Sequence, residues 1–389
     1  MVLPLAAGDA AASIQGMDKT DPARWPDSLL DKLRLVGDPL ADAALFELAQ
    51  LPQGARPGPG GDLVAAVSHR AAAAAGACRD LIGQAYAVPA WVSFPRMLAG
   101  YRVGLSHPVA GGLALLCGSL AESYSAAMAA KLLVRSGDLQ RSTRRRIYET
   151  ADFLHVLASS NGPQPGSHAH RVLLNLRLLH SRIRQGTQQQ GDWDPRWGVP
   201  VNQEDNGSTL LMFSLVYARS LQRLGVALTP AELDSIHHGW RYAGYVLGID
   251  DRLLTESCAD EAALYSVISR RQHRPDKDSH ALLNALFAEM AWQPPLLLPM
   301  GALCAVSRVL LGEGLADAMR VPRVPLWQAA PPLLRALGQA QQALFDFLPG
   351  ADQVSQRLGT RIIESTLHYG LSRSRGESRA AGPRPAGSA

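Results

Sequence analysis

Arg171-Val-Leu-Leu-Asn-Leu-Arg-Leu-Leu-His-Ser-Arg-Ile-Arg184 is an apolar stretch in which a single histidine stands among arginines. Its leucines recur at intervals of three and four residues, which is the spacing of one face of an α-helix. On that helix Arg177, His180 and Arg184 occupy positions i, i+3 and i+7 and so share a face. The same period continues along most of the chain, and alternating strand patterns are almost absent. The sequence therefore predicts an all-α protein.

The helical pattern divides into segments separated by turns rich in glycine and proline. Thr229-Pro-Ala-Glu232 predicts a capping box, and the turn Asn202-Gln-Glu-Asp205 predicts a polar cap for the helix that follows it. We predict one domain over residues 26–370, preceded by a flexible segment (1–25) and followed by a disordered tail (371–389). The predicted helices cover residues 27–35, 39–50, 65–87, 111–136, 141–159, 170–185, 208–224, 229–247, 260–269, 278–292, 300–319 and 331–347.

Composition limits the classes of protein to which the chain can belong. Of its 389 residues, 47% are hydrophobic and 19% are charged, with a net charge of +4, which is typical of a globular protein with a sizeable core. No basic stripe with interleaved aromatic residues is present, so nucleic-acid binding is not expected. The longest uncharged run, residues 291–307, is interrupted by prolines and is too short and broken for a membrane span. The four cysteines form no C-x-x-C pair, which argues against zinc-ribbon and thioredoxin-like sites.

The histidine of the opening stretch is a candidate metal ligand. Two guanidinium groups beside an imidazole disfavour its protonation, and a neutral ring keeps a lone pair that can bind a metal. Arginines on the same face can also hold an anionic group, such as a propionate, through charge-assisted hydrogen bonds. These properties suit the ligation of a haem iron by His180. The alternative is that His180 is an ordinary histidine of the core or its boundary.

A second group of polar residues lies on the helix before it. In Arg144-Arg-Arg-Ile-Tyr-Glu-Thr150, Arg146 and Thr150 are at positions i and i+4, hence on one face. A guanidinium and a hydroxyl directed at one point would stabilise developing negative charge, such as that on bound dioxygen. The alternative is an exposed arginine beside a threonine that bonds to its own helix backbone. Glu149 is expected to pair with Arg145 or Arg146 or, if it is desolvated, to act as a base.

Five motifs follow one another in a fixed order along the middle of the chain. They are R-x-x-x-T (146–150), L-x-H-x-x-x-R (178–184), W-G-x-P-x-N-Q-x-D (197–205), T-x-x-x-F-S (209–214) and W-R-x-x-G-x-x-L-G (240–248). This order, over roughly residues 30–290, resembles the latex clearing protein and MpaB oxygenase family. The ordered set is more specific than any one of the motifs.

The resemblance implies an α-helical fold with a globin-like core that holds one non-covalent haem b, with additional N- and C-terminal helices. His180 would be the proximal ligand of the haem iron, and Arg146 and Thr150 would be the arginine and threonine of the distal side. Arg177 and Arg184 match arginines that flank the haem helix, and we expect at least one to support a propionate or the helix packing. The best-known members are rubber oxygenases, which use dioxygen to cleave cis-1,4-polyisoprene at its double bonds into aldehyde- and ketone-ended oligomers.

The chain departs from rubber oxygenases at two positions. They carry a lysine directly before the distal threonine, where this chain has Glu149. Their catalytic glutamate lies upstream of that helix, where the nearest carboxylate here is Glu122, in Gly-Ser-Leu-Ala-Glu122-Ser-Tyr. Glu149 and Glu122 are therefore the two candidates for a base that takes an allylic proton.

From these residues and the resemblance we expect a haem-dependent dioxygenase that uses O2 on polyisoprene or another apolar isoprenoid. The alternatives are an oxygenase of the same family with a different small hydrophobic substrate, a non-catalytic haem-binding protein, and a haemless relative in which His180 is a packed core residue. We expect a monomer with no nucleic-acid partner. The small apolar residues at the start favour a secreted or periplasmic protein, and a cytoplasmic location is the alternative because no basic signal-peptide region is present.

Overall fold

The computed structural model of this chain describes residues 22–380, apart from residues 59, 136–138 and 160. It confirms the all-α prediction, because these residues contain no strand and only an isolated bridge between Ala126 and His273. The helices are α1 (Asp27–Arg34), α2 (Pro39–Ala49), α3 (Leu63–Ala73), α4 (Ala77–Tyr86), α5 (Phe94–Ser106), α6 (Pro108–Ser123), α7 (Ala127–Arg135), α8 (Leu139–Leu157), α9 (His168–Gln190), α10 (residues 203–223), α11 (Pro230–Val246), α12 (Cys258–Gln272), α13 (Lys277–Met290), α14 (Met300–Leu311), α15 (Glu313–Ala318), α16 (Ala330–Phe347) and α17 (Ala351–Ala380).

Both predicted ends of the domain are shifted. Pro22–Arg24 form a 3-10 turn, and the buried indole of Trp25 donates from Nε1 to the carbonyl of Arg252 over 2.8 Å. Residues 22–25 are therefore part of the fold and not of a flexible segment. At the other end α17 continues to Ala380, so the prediction of disorder from residue 371 is wrong for residues 371–380. Residues 1–21 and 381–389 lie outside the described residues.

The caps predicted at Asn202 and at Thr229 are confirmed, although α10 begins at residue 203, five residues before the predicted helix. Asn202 Oδ1 accepts a hydrogen bond from the backbone N–H of Asp205 over 2.9 Å. Thr229 Oγ1 accepts from the N–H of Glu232 over 3.2 Å, and the Glu232 carboxylate accepts from the N–H of Thr229 over 2.8 Å. These bonds satisfy backbone donors that a helix leaves free at its N-terminus.

Two of the helices contain π-helical segments, Ala114–Leu120 in α6 and Met212–Val216 in α10. The two segments contact each other. Because an i→i+5 turn holds one residue more than an α-helical turn, side chains beyond it point in a different direction. The single helix predicted over residues 111–136 is therefore divided: α6 ends at Ser123, and α7 begins at Ala127.

Buried apolar side chains form two cores, a large one shared by most of the helices and a smaller one between α2, α3 and α4. Helix α9 contributes to both. Ala169 and Leu173 belong to the larger core, whereas Leu174 and Leu178 belong to the smaller one. Packing on two sides fixes the position of α9 and of the side chains that it presents.

The surroundings of α8 and α9 place these two helices at the centre of the fold. Helix α8 contacts α9, α13 and α17, and α9 contacts α2, α3 and α11. By length and apolar content, none of the described helices could cross a membrane alone; only α5 and α6 taken together, bent by 97° where they meet, reach that length and composition.

Candidate functional site

Helix α9 carries the three residues that the sequence placed on one face. It begins after Ser167, whose Oγ accepts from the N–H of His170 over 3.1 Å, and it ends at Gly191, which adopts a φ of +74°. A hydroxyl at the N-cap is a usual start signal of a helix, and a glycine in the left-handed conformation at the C-terminus is a usual stop signal. The helix is therefore defined at both ends by local sequence, independently of the packing of its apolar face.

Arg177 is buried and held by a neighbouring aspartate. Its Nε donates to Asp38 Oδ2 over 2.5 Å and its Nη2 donates to Asp38 Oδ1 over 3.1 Å, a two-pronged ion pair. Its Nη1 donates to Gln84 Oε1 over 2.5 Å and to the carbonyl of Val246 over 3.2 Å. These bonds engage the guanidinium within the protein and are those of the helix-packing role that the sequence allowed for Arg177.

Arg184 is held in the same way about two helix turns further on. Its Nε and Nη2 donate to the carboxylate of Asp42 over 3.0 and 2.9 Å, and its Nη1 donates to the carbonyl of Val201 over 2.7 Å. A Cβ atom at Gly37 would lie 2.3 Å from the Arg184 Nε, so the side chain also fills the space beside that glycine. Arg184 therefore ties α9 to α2 and to the turn before α10, and it too serves packing.

His180 differs from both arginines. Its half-buried ring forms no hydrogen bond within the part of the chain that the structure describes. Burial, followed by the charge of Arg184, lowers its pKa to about 4, although Asp38 opposes this shift. The ring is therefore neutral at physiological pH and retains a free lone pair. Leu179, the residue before it, and Ile183, about one turn further on, are 42% and 36% exposed. A neutral imidazole with a free lone pair can serve as an axial ligand of a haem iron.

Arg146 and Thr150 lie on α8, the helix that contacts α9. Both are half-buried. Thr150 Oγ1 donates to the carbonyl of Arg146 over 2.8 Å, which is the bond to its own helix that the alternative interpretation predicted. With its proton used in this bond, the hydroxyl presents lone pairs as an acceptor. The Arg146 charge acts on the buried Tyr124, lowering a pKa that burial raises.

The two candidate bases do not join this group. Glu149 is 48% exposed and accepts from Arg145 Nε over 2.7 Å, so it is a solvated member of a surface ion pair. Glu122 is buried, which raises its pKa. Its carboxylate accepts from the Tyr265 hydroxyl over 2.5 Å and lies 3.7 Å from His273 Nε2. The side chains that act on the Glu122 carboxylate therefore belong to α10, α12 and the segment after α12.

Sequence reasoning did not predict an aromatic cluster beside these residues. Phe213, in the π-helical segment of α10, stacks on Trp240 with ring centroids 5.2 Å apart. Phe153, one turn after Thr150 on α8, lies 6.4 Å from the same indole. Phe153 follows Thr150 by three residues, a spacing that puts two residues on the same face of a helix. This spacing could therefore have predicted that the Phe153 ring lies on the polar face of α8. Trp240 is itself buried.

No group of three or more metal-ligating side chains was found among the described residues. A metal at His180 would therefore need to bring most of its ligands with it, as a porphyrin does.

Comparisons with known proteins agree with this architecture. No curated protein sequence matches the chain significantly. The solved structure of the latex clearing protein LCP in the closed state is similar, with a TM-score of 0.58 and 19% sequence identity, over 92% of this chain and 96% of that chain. The family model described as ER-bound oxygenase mpaB/B'/rubber oxygenase, catalytic domain, matches residues 67–343, more than half of the sequence. The chain therefore belongs to the family of mpaB and rubber oxygenase catalytic domains.

Proposed function

We propose that this protein is a haem b-dependent oxygenase that uses dioxygen to cleave the double bonds of an apolar isoprenoid, either cis-1,4-polyisoprene or a smaller relative, into aldehyde- and ketone-ended products. Membership of an oxygenase family supports the reaction class. The observation that carries the cofactor is the neutral imidazole of His180, which has no hydrogen bond with any described residue.

In this proposal His180 holds the iron, and the residues around it keep the ring in place. The haem, when bound, supplies the redox chemistry that activates dioxygen. Arg177 and Arg184 fix the rotation of α9 through Asp38 and Asp42, so the imidazole is oriented before any ligand arrives.

The opposite helix supplies charge and excludes water. Arg146 would stabilise negative charge that develops as dioxygen is reduced, since a preorganised cation acts strongly in a water-poor site. The Thr150 hydroxyl donates its proton to the carbonyl of Arg146, so its oxygen can only accept a further hydrogen bond. It would therefore orient a donor group that lies beside it. Phe153, Phe213 and Trp240 would keep the site dry and provide an apolar surface for the alkene.

The position of the two carboxylates supports one alternative, an oxygenase of this family with a different small hydrophobic substrate. Glu149 is solvated, and Glu122 is bonded to Tyr265. Both carboxylates are thus engaged by other side chains, Glu149 by Arg145 and Glu122 by Tyr265. On the basis of the sequence we also propose that the protein is exported from the cell and is a monomer.

The first experiment is an absorption spectrum of the purified protein and of His180→Ala, as isolated and after dithionite. We expect a Soret band in the wild type that is lost or strongly shifted in the variant, because the iron loses its axial ligand. A well-folded wild type that takes up no haem, even when haem is supplied, would refute the proposal.

Oxygen uptake on an emulsion of polyisoprene, and on squalene as a short isoprenoid, then tests the reaction. Arg146→Ala is expected to lower kcat by about 100- to 1,000-fold, the usual loss for one preorganised donor. The neighbouring Arg145→Ala is the matched control and should stay near the wild type, because Arg145 is solvated and paired with Glu149. Equal activity of the two variants would remove Arg146 from the mechanism, and a haem-loaded wild type without uptake on either substrate would favour the non-catalytic haem protein.

A further inference from the structure

A cavity of about 150 Å³, partly open to solvent, lies behind α8 and is lined mainly by α5, α6, α8 and α17. Most of its wall is hydrocarbon. The side chains that bound it on its four sides include Leu105, Leu116, Ile147, Leu154, Ile363 and Leu367. A cavity of this size with an apolar lining holds a molecule of about the size of benzene. The proposed function makes no use of this space.

The cavity and the candidate haem site use different faces of α8. Ile147, Ala151 and Leu154 line the cavity, whereas Arg146 and Thr150 point elsewhere on the helix. At about 100° per residue, the centres of these two faces are about 90° apart. Helix α8 therefore separates two sites instead of contributing twice to one.

One polar group in the cavity wall has no partner. The hydroxyl of Tyr148 donates to the carbonyl of Pro294 over 3.3 Å, and that of Tyr101 donates to the carbonyl of Gly239 over 2.5 Å. The hydroxyl of Tyr217, which also lines the cavity, forms no hydrogen bond with any described residue. Burial raises the pKa of Tyr217, so the hydroxyl keeps its proton and can donate it.

Two glycines make the space that this hydroxyl occupies. A Cβ atom at Gly104 would lie 2.2 Å from the Tyr217 hydroxyl oxygen, and one at Gly111 would lie 2.9 Å from it. Both distances are shorter than a normal Cβ contact, so a side chain at either position of α5 or α6 would displace the phenol from this place. A second unpartnered group, the buried Nδ1 of His155, belongs to another lining residue. An apolar wall with a free donor is the usual form of a site for a small molecule with one polar end.

We propose that this cavity binds a small acyclic carbonyl compound of about five or six carbons, whose chain fills the apolar space and whose oxygen accepts a hydrogen bond from the Tyr217 hydroxyl. The volume sets the size, because six heavy atoms fill a cavity of about 150 Å³. The choice of a carbonyl rests in part on the proposed function, whose products end in aldehydes and ketones. The site itself rests on the cavity and its free donor.

Binding is tested with pentan-2-one and n-pentane, which differ by one oxygen, through saturation-transfer NMR and thermal shift. Both measurements read binding alone and require neither haem nor turnover. The wild type is expected to bind both molecules, and the ketone more tightly. Tyr217→Phe should weaken the ketone by about 2- to 10-fold, the range of one neutral hydrogen bond, and leave pentane unchanged.

Matched controls separate the donor and the space from general damage. Tyr148→Phe removes a hydroxyl from the same wall that is already bonded, so it should not alter the preference for the ketone. Ala151→Leu fills the cavity and should abolish binding of both molecules. The same substitution at Ala231, exposed in the first turn of α11, should leave binding intact.

Two results would overturn the proposal. The first is that the wild type binds pentan-2-one no more tightly than pentane and that Tyr217→Phe leaves both affinities unchanged. The second is that a folded Ala151→Leu variant still binds both molecules. These results are independent of the oxygenase assay. Binding without oxygen uptake would refute only the proposed reaction, and oxygen uptake without binding would refute only the cavity site.

Discussion

Asp38 and Asp42 lie one turn apart around the start of α2, and each binds one arginine of α9. Both guanidinium groups are only 2% exposed, and a buried charge without a partner is strongly unfavourable. The two aspartates therefore make it possible for an apolar helix to carry these arginines. They also engage the cations within the protein, which leaves His180 as the residue of that helix face with a free lone pair.

Removing one of these buried charges should destabilise the fold. Arg177→Ala leaves the carboxylate of Asp38 buried without its ion pair, and we expect the free energy of unfolding to fall by about 3–5 kcal/mol. Urea denaturation followed by circular dichroism measures this change. The control is Arg171→Ala, on the same helix, whose pair with Asp62 is half exposed and is expected to contribute less than about 1 kcal/mol.

Equal losses in the two variants would contradict the structural role of the Arg177 pair. A double variant, Arg177→Met with Asp38→Asn, should recover part of the lost stability, because it removes the isolated charge as well.

The sequence predicted the chemistry of His180 better than that of its neighbours. Its pKa is lowered, as expected, but burial is the largest cause and only Arg184 of the two arginines contributes. The partners of the arginines could not be predicted, since Asp38 and Arg177 are 139 residues apart and no local pattern links them. Periodicity shows which residues share a face and not what that face meets.

At the scale of helices, the structure differs from prediction where tertiary contacts override local pattern. Helix α5 was not predicted, because Gly100 and Gly104 weaken its helical signal. Both glycines are required by other elements. A Cβ at Gly100 would lie 2.1 Å from the carbonyl oxygen of Ser235 on α11, and Gly104 admits the hydroxyl of Tyr217. The glycines that weaken the helical signal of α5 are therefore those that admit the backbone of α11, at Gly100, and a side chain of α10, at Gly104.

The same substitution at two helical glycines should have opposite effects. Gly100→Ala places a methyl group against the backbone of α11, and we expect a loss of about 1–3 kcal/mol in the free energy of unfolding from overpacking. Gly83→Ala, on the exposed side of α4 with nothing within 4 Å of the new atom, should gain about 0.5–1 kcal/mol from helix propensity.

Thermal and urea denaturation of both variants measure the two effects. A Gly100→Ala protein as stable as the wild type would show that α5 and α11 can separate without cost, contrary to the packing described here.

At the scale of the whole molecule, composition and periodicity were sufficient for the all-α class and for most helix positions. They were not sufficient for the arrangement of two cores around α9, because that depends on which buried faces meet. The π-helical segments of α6 and α10 were also not predictable, since one additional residue in a turn leaves the apolar pattern almost unchanged.

Buried titratable groups distributed over the fold make its stability depend on pH. Burial lowers the pKa of His237 and of His273 to about 4, and the nearby Arg241 lowers that of His237 further. Between pH 4 and 6.5 the unfolded chain therefore binds protons that the folded chain does not, so these groups make stability rise with pH.

Glu261 acts in the opposite direction: burial raises its pKa to about 7, against a hydrogen bond from Ser214 that lowers it. Its contribution is present at low pH and is lost as the pH rises through 7.

Substitution of His237 and substitution of Glu261 should therefore change the pH dependence of the unfolding free energy of the haem-free chain in opposite directions. His237→Gln removes one proton that only the unfolded chain binds, and it should reduce the slope of unfolding free energy against pH by about 1.4 kcal/mol per unit. Glu261→Gln removes one proton that only the folded chain binds and should increase the slope by the same amount. Urea denaturation at pH 5.0, 5.5 and 6.0 measures both slopes, with the exposed His69→Gln as control. If both variants run parallel to the wild type, these two buried groups do not set the pH dependence, and other titrating side chains must account for it.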